Sequence, residues 1–423
     1  MNSKLALDGG TPVRSEPLRG GFHGSDQIAE QEIDAVVNVL KKKRLFRFLR
    51  EGAKESEAAK VEAWYRQRLG RRYALAVNCG TAALICAMYG LDVGPGDEVV
   101  IPAYTFVATA AAVIAAGAVP VLCEVDASLN MDPLDLATKI SPNTKAIMPV
   151  HMRGVPARMD EIMAVAEKHN ILVAEDVAQS NGGSYKGRLL GTLGKVGCFS
   201  FQQYKIVTAG EGGLMATDDL EVYDRGRMHH DCAARFWEGM ATRGYDFVLS
   251  GENYRFPELS AALILAQLGR LDPLLERFRE IKRRITRGVA DLDGITVQDV
   301  PDPEGDCAIT FTFFAPDADT ARRFSTALDA ENISCGTVYD NTIPDRHIYS
   351  NWPFLMSGLA QERRAPWKSP FYKGDTVGYS PDQCPRSLDY LGRAIMLFID
   401  QTFTLADADL IVEGIRKVAA ALL

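Results

Sequence analysis

Three features of this chain have the residue types and spacing for covalent chemistry: a lysine close to glycines, an acid ending an apolar run, and a glycine turn that opens a helix. The lysine lies in CFSFQQYKIVTAGEGG (198–213), which puts Ser200 and Lys205 on a strand-to-loop segment before a glycine-rich turn. A lysine amine forms an imine with an aldehyde-bearing cofactor once burial or crowding removes its proton. The imine exchanges with an incoming amine, and the freed lysine becomes the base that moves a proton between carbons. Gly210, Gly212 and Gly213 let the backbone pass close to a bulky ligand. Taken alone, Lys205 reads as one more surface lysine in a glycine-rich turn.

The acid lies in ILVAEDVAQS (171–180), an apolar strand ending in Glu-Asp. Asp176 suits an anion set against a pyridine nitrogen, because a protonated ring is the better electron sink. Gln179 is placed to hydrogen-bond a phenolic oxygen on the same ring. The competing reading of Asp176 is a helix N-cap. In VNCGTAALICAM (77–88) the N–H groups of Gly80, Thr81 and Ala82 form an anion site at a helix start, and the Thr81 hydroxyl adds a donor. An ordinary capped helix explains that segment equally well. PAYTFVATAAA (102–112) offers an aromatic just past a strand to stack on a flat ring, Phe106 first and Tyr104 second. The alternative is that both belong to the core. Each signal is modest alone. Together they run in the order phosphate cradle, ring stacker, ring-nitrogen acid, imine-forming lysine, all at strand ends.

The elements that must position these residues follow from periodicity. Helical spacing runs through 26–43 and 55–70, and Gly70 fits a C-terminal stop. From residue 72, strands at 74–78, 97–102, 119–125, 145–151, 171–176, 198–202 and 212–217 alternate with helices at 81–91, 105–117 and 159–170. Such alternation predicts an α/β fold with a mostly parallel sheet between helices, and ligands bind at the carboxyl ends of its strands. A long helix over 257–285 leads to a smaller α/β unit with strands at 307–314, 333–339 and 393–400 and helices at 317–332 and 406–422. Residues 340–384, rich in Pro, Tyr, Trp and Gly, read as a long loop region. The expected division is an N-terminal arm (1–25), a large cofactor-binding domain (26–275) and a small C-terminal domain (276–423).

Composition narrows the function classes. A chain of 423 residues with a net charge of −8 has no extended basic face, and KKKR at 41–44 reads as the solvated end of a helix. That argues against nucleic acid and anionic membranes as partners. The N-terminus lacks the pattern of a signal peptide, and the most apolar stretch (103–123) is broken by Thr, Gly and Pro. The eight cysteines are scattered singly without metal-like spacing, which points to a reduced, cytoplasmic protein and no metal site.

NCGTAAL, IPAYTFVAT, PVHMRG, EDVAQS, GTLGKVGCFSFQQYK, TAGEGG and ENYRFPELSAA together resemble the DegT/DnrJ/StrS-type sugar aminotransferases, of the fold-type I pyridoxal 5'-phosphate (PLP) enzymes. The resemblance runs roughly from Leu5 to Leu422. It implies a seven-stranded, mostly parallel sheet and a homodimer with shared active sites. Lys205 would be the Schiff-base lysine and proton shuttle. Asp176 would face the pyridine nitrogen and Gln179 the phenolic oxygen, with Phe106 stacked on the ring. Ser200, Gly80 and Thr81 would bind the phosphate, reached also by Asn253 of the neighbouring subunit. The implied reaction is ping-pong: L-Glu or L-Gln leaves the cofactor as pyridoxamine 5'-phosphate, and a keto-sugar or cyclitol ketone then takes the amino group. The QQ–K–TAGEGG stretch is similar to that of enzymes aminating cyclitol ketones. The long loop and C-terminal region look closer to enzymes acting on free or phosphorylated keto-sugars. Sugar dehydratases of the same fold carry His at the lysine position, and Lys205 argues against them. An aminotransferase for a non-sugar ketone and a non-catalytic PLP-binding regulatory protein are the alternatives.

The chain departs from the family pattern at several points. Cys79 replaces a common Ser and reads as a buried small residue. Phe256-Pro257 replaces a commoner Met-Ser and bears on helix entry. Arg153 stands where an aromatic is frequent; it is either an anion binder for substrate or half of a structural ion pair. Tyr104 is a second substrate candidate. His229 and His230 read as a structural pair on a surface helix.

Overall fold

The alternation that starts near residue 72 builds a seven-stranded sheet. The computed structural model describes residues 4–18, 20, 24–48, 56–233, 250–338, 344–356, 365–374 and 378–423. Helices α1 (Glu30–Lys42) and α2 (Glu57–Leu69) precede β1 (Tyr73–Val77) and α3 (Gly80–Gly90). There follow β2 (Glu98–Pro102), α4 (Ala108–Ala115), β3 (Val119–Cys123), α5 (Pro133–Lys139), β4 (Thr144–Ile147), α6 (Met159–His169) and β5 (Leu172–Asp176). A hairpin of β6 (Ser184–Tyr185) and β7 (Arg188–Leu189) leads to β8 (Val196–Ser200), β9 (Gly213–Thr217) and α7 (Leu220–His230). Helices α8 (Glu258–Leu268) and α9 (Leu271–Val289) carry the chain to β10 (Thr296–Val297), β11 (Thr310–Phe314), α10 (Ala318–Ala330) and β12 (Gly336–Thr337). Last come α11 (Pro353–Met356), α12 (Pro385–Arg393), β13 (Ala394–Phe398) and α13 (Leu405–Leu422).

The large sheet has the order β1-β9-β8-β5-β4-β2-β3. Of its strands, β9 runs antiparallel to both neighbours and the other six share one direction. Six carboxyl ends therefore lie along one edge. Most of these strands are buried on both faces, which is why they read as continuous apolar runs. Helix α3 (GTAALICAMYG) is apolar almost all round because it is enclosed by β8, β9, α4 and α7. The second sheet is antiparallel, in the order β10-β11-β13-β12, with α10 and α13 packed together beside it.

Some sequence expectations need correction. The long helix over 257–285 is two helices, broken at Gly269-Arg270. Pro273 has no N–H to give to the Gly269 carbonyl, so it is accommodated only in the first turn of a new helix. The strand expected at 333–339 shrinks to Gly336–Thr337, and Tyr339 lies outside the described residues. The strand expected at 145–151 ends at Ile147, ahead of Pro149, whose carbonyl still accepts Asp176 N–H (2.9 Å). Helices α5 and α12, each with Pro at its start, were not expected.

The N-terminal segment is tied to the C-terminal unit through one buried acid. Glu331 accepts Ala6 N–H (2.9 Å), Val13 N–H (2.9 Å) and Lys417 Nζ (2.8 Å) while fully enclosed. Removing the carboxylate leaves Lys417, which still donates to Thr11 O (2.8 Å), without its acid and two N–H groups without their acceptor. Glu331→Ala is expected to lower unfolding free energy by about 3 kcal/mol, read as a shifted urea midpoint. A midpoint equal to wild type would show that this clamp contributes nothing.

Candidate functional site

Most residues singled out in the sequence lie at or just past the carboxyl ends of the parallel strands. Gly80 and Thr81 follow β1, Tyr104 and Phe106 follow β2, and Arg153 follows β4. Asp176 ends β5 and Ser200 ends β8, five residues before Lys205. Gly213 opens β9 and is paired with both Val77 and Ser200, so β1 and β8 meet across it.

The first turn of α3 forms a close-walled cradle. The Cys79 sulfur caps it by accepting Ala82 N–H (3.3 Å). Cys79 is thus a half-buried N-cap rather than a buried filler, and it does what a Ser would do there. A β-carbon on Gly80 would lie 2.7 Å from Ser200 Cβ and 2.9 Å from Ser200 Oγ. One on Gly213 would lie 2.3 Å from the Cys79 carbonyl oxygen and 2.9 Å from Gly80 N. Both positions must lack a side chain for the Gly80 N–H and Ser200 hydroxyl to stay together. First-turn N–H groups have no helical acceptor, so this cradle suits an oxyanion such as a phosphate.

Lys205 sits in a loop sealed at its base by Phe201 N–H to Gly212 O (2.8 Å) and Ala209 N–H to Phe201 O (2.9 Å). Gln267 of α8 pins the loop through both Thr208 N–H (3.0 Å) and Thr208 O (2.7 Å). Burial, helped by the nearby Arg153 guanidinium, lowers the Lys205 ammonium to about 8, although Asp176 and Glu211 pull the other way. A neutral amine is therefore accessible near neutral pH.

Asp176 is buried; its carboxylate accepts Ala178 N–H (3.0 Å) and the Thr109 hydroxyl (2.9 Å). Burial raises its carboxyl above the usual range, opposed by those two donors and by the Lys205 charge. The adjacent Glu175 points elsewhere. It accepts N–H groups from Gly191, Leu193 and Gly194 and bonds His151 Nε2 (3.2 Å). Burial acts to raise Glu175, but His151 and these N–H groups outweigh it and hold the carboxyl low.

The two aromatics differ in place. Tyr104 is fully buried, with its hydroxyl 3.4 Å from Arg153 Nε, whereas Phe106 is 41% exposed, so the two are not both core. Phe106 lies 5.3 Å from the His347 ring. Gln179 accepts Arg153 N–H through Oε1 (3.1 Å). Arg153 has no carboxylate within 4.0 Å among the described residues, so none of these makes a structural ion pair with it. Residues that the sequence did not flag also converge here. Thr109 supports Asp176, His347 is held by Asp345 (Nδ1 to Oδ1, 2.7 Å), and Phe398 lies under Arg153. Thr109 was findable, one helical turn after Thr105; His347 and Phe398 come from distant segments with no local signal.

Asn253 is exposed, beside β1, with Oδ1 accepting Arg255 N–H (3.2 Å), and does not join the cluster within one chain. His229 and His230 are buried rather than on a surface helix; His229 stacks on Tyr89 at 3.7 Å. Pro257 caps α8 and the buried Phe256 lies 6.3 Å from Phe201, so the Phe-Pro pair does bear on helix entry. Residues 234–249, 339–343, 357–364 and 375–377 lie outside those described. Among the described residues no helix is long and apolar enough to cross a membrane, and no cluster of three His, Cys, Asp or Glu can hold a metal. All eight cysteines are free.

The depressed lysine has a measurable cost. Below about pH 8 the folded chain holds Lys205 protonated against its burial; between 8 and the unfolded value of 10.5 the penalty fades. Lys205→Met in the unloaded protein is expected to be more stable than wild type by on the order of 2 kcal/mol at pH 7. That gain should shrink as pH approaches 10. Thermal unfolding of both proteins across this range checks it, and a pH-independent difference would contradict it.

Residues 26–357 match the DegT/DnrJ/EryC1/StrS aminotransferase family. A Streptomyces kanamyceticus protein provisionally named L-glutamine:3-amino-2,3-dideoxy-scyllo-inosose aminotransferase is 35% identical over 307 residues, covering 72% of this chain and 70% of that protein. The spore coat polysaccharide biosynthesis protein SpsC of Bacillus subtilis is 32% identical over 402 residues, covering 92% and 95%. The solved structure of 3-amino-5-hydroxybenzoic acid synthase superposes with a TM-score of 0.77 at 26% identity, covering 96% of this chain and 99% of the other. With that family match spanning the sheet, the lysine loop and α8, the chain belongs to the DegT/DnrJ/EryC1/StrS aminotransferase family and has the α/β fold of type I PLP-dependent enzymes.

Proposed function

We propose that this aminotransferase carries PLP on Lys205 and moves an amino group from L-glutamine or L-glutamate to a keto-sugar or cyclitol ketone. The observation that carries the reading is Lys205, its ammonium lowered to about 8, in the field of buried Asp176, with the Gly80–Ser200–Gly213 cradle on the same strand edge. The donor and acceptor classes rest on the names of relatives such as the Streptomyces kanamyceticus protein. The residues fit the cofactor: a cradle walled by Gly80, Ser200 and Gly213, a buried carboxylate and a lysine amine offer partners for its phosphate, ring nitrogen and aldehyde.

When bound, PLP supplies an aldehyde carbon and an electron-withdrawing ring. Gly80, Thr81 and Ser200 would hold the phosphate. Asp176, kept oriented by Thr109 and Ala178, would hold a proton on the ring nitrogen. Gln179 would face the phenolic oxygen, and Phe106 would cover the ring. Lys205 Nζ, displaced by the donor amine, would take the proton from the donor Cα and return one during amination of the ketone. The two half-reactions share one pocket, so ping-pong kinetics follow.

Asn253, exposed beside β1, would reach the phosphate of a second copy, making a homodimer part of the active site. A cytoplasmic location goes with this proposal, in keeping with eight free cysteines.

L-Glutamine or L-glutamate added to the PLP-loaded protein should bleach the cofactor's long-wavelength band, and a suitable polyol ketone should restore it. Lys205→Ala is expected to lose at least about 1000-fold in turnover. A wild-type spectrum unmoved by any amino acid would indicate a binder rather than an enzyme. Lys205→Ala and Asn253→Asp chains, each inactive, should regain about a quarter of wild-type activity when mixed and reassociated, since a twofold dimer then has one intact site in each hybrid. No recovery would place Asn253 in its own chain's site or outside it.

A further inference from the structure

Arg153 is held in an unusual way. It adopts the left-handed conformation (φ 53°, ψ 30°) ahead of Gly154, which is also left-handed (φ 89°). A long side chain is rare there. The turn is fixed by Arg153 N–H to Gln179 Oε1 (3.1 Å) and by Val155 N–H to Met152 O (3.1 Å). The Arg153 carbonyl also accepts the Thr310 hydroxyl from β11 (3.4 Å). Backbone bonds on both sides thus aim this side chain at the edge where Lys205 lies.

The guanidinium lies over the Phe398 ring at 5.3 Å and meets the Tyr104 hydroxyl through Nε. Its two terminal nitrogens have no protein acceptor among the described residues. Asp345 is the acid whose field it shares, but Asp345 Oδ1 already accepts both His347 N–H (2.8 Å) and His347 Nδ1 (2.7 Å). The same guanidinium is close enough to Lys205 to help lower its proton affinity. A half-buried guanidinium beside an amine, with no counterion within 4.0 Å among the described residues, is an arrangement that an entering oxyanion relieves.

We propose, on the aminotransferase reading above, that Arg153 binds the α-carboxylate of the amino donor. The donor's carboxylate is one bond from the carbon whose proton Lys205 moves, so its anchor must lie close to Nζ. A phosphate or carboxylate on a sugar acceptor is several carbons from the ketone and would be met farther out. The planar fork also matches a carboxylate better than a point charge does.

The test uses the PLP-loaded protein, with L-glutamate and its α-amide as paired donors and band bleaching as the readout. Wild type should react with the acid at least about 30-fold better than with the amide, the scale of one charged pair. In Arg153→Gln that preference should fall to about 1, the loss being confined to the acid; Arg153→Lys, which keeps charge but not the fork, should fall between. Glutarate, which has carboxylates but no amine, should bind wild type by calorimetry and lose that binding in Arg153→Gln. The visible circular dichroism of the bound cofactor should be unchanged. A wild type that treats acid and amide alike overturns the proposal without any variant. Equal loss for both donors in Arg153→Gln also overturns it, as does a loss confined to phosphorylated acceptors in the second half-reaction, which would assign Arg153 to the acceptor. If wild type bleaches with no amino acid, the aminotransferase reading fails instead.

Discussion

The end of β5 carries two adjacent buried carboxylates, and the rest of the site depends on how each is satisfied. Successive side chains of a strand point to opposite faces. Glu175 therefore turns to one side, where three backbone N–H groups and His151 satisfy it with hydrogen bonds. Asp176 turns to the other, where it has one hydroxyl, one N–H and the field of Lys205. The first acid is structural, tying the 191–194 loop and the 151–157 turn to the sheet. The second is left with spare capacity for a charged ligand. Two neighbours of the same chemistry differ because the sheet separates their environments.

The cations around Asp176 show the same economy of partners. Lys205 and Arg153 feel each other's charge and the fields of Asp176, Glu211 and Asp345, yet neither makes an ion pair within 4.0 Å among the described residues. Elsewhere cations are matched: Lys417 with Glu331, Lys282 with Asp306, Arg47 with Glu62. Unmatched charge is concentrated where a ligand would complete it, which is the pattern of a binding site rather than of a stability element.

The sheet and most of the site were legible in the sequence for local reasons. A strand followed by a turn and a helix is written in consecutive residues, so Gly80, Asp176, Ser200 and Lys205 declared themselves with their neighbours. What was not legible depends on distance. His347 reaches the edge because 344–349 pairs with the residues after β2, through Thr105 N–H to His347 O (2.9 Å) and the Tyr104–Ile348 bridge. Phe398 arrives through the second sheet. Nothing in either segment names its destination. The break between α8 and α9 was legible in principle, since Gly269 and Pro273 both weaken a continuous helix, but the unbroken apolar stripe masked it.

The one antiparallel strand, β9, has a consequence for the order in which this molecule comes into being. Within the sheet β1 pairs with β9 alone, from Tyr73↔Thr217 to Val77↔Gly213. During synthesis β1 emerges early and must wait, unpaired, until residues 213–217 have been made. The interval spans five of the other six strands, which can pair among themselves in the meantime. When β9 finally slots in, it joins β1 to β8, closes the lysine loop and brings Gly80 against Ser200 in one event. Such long-range closure is slow. The candidate site and the joining of β1 to the rest of the sheet therefore depend on the same strand, and a chain ending before Gly213 would have strands but no closed site.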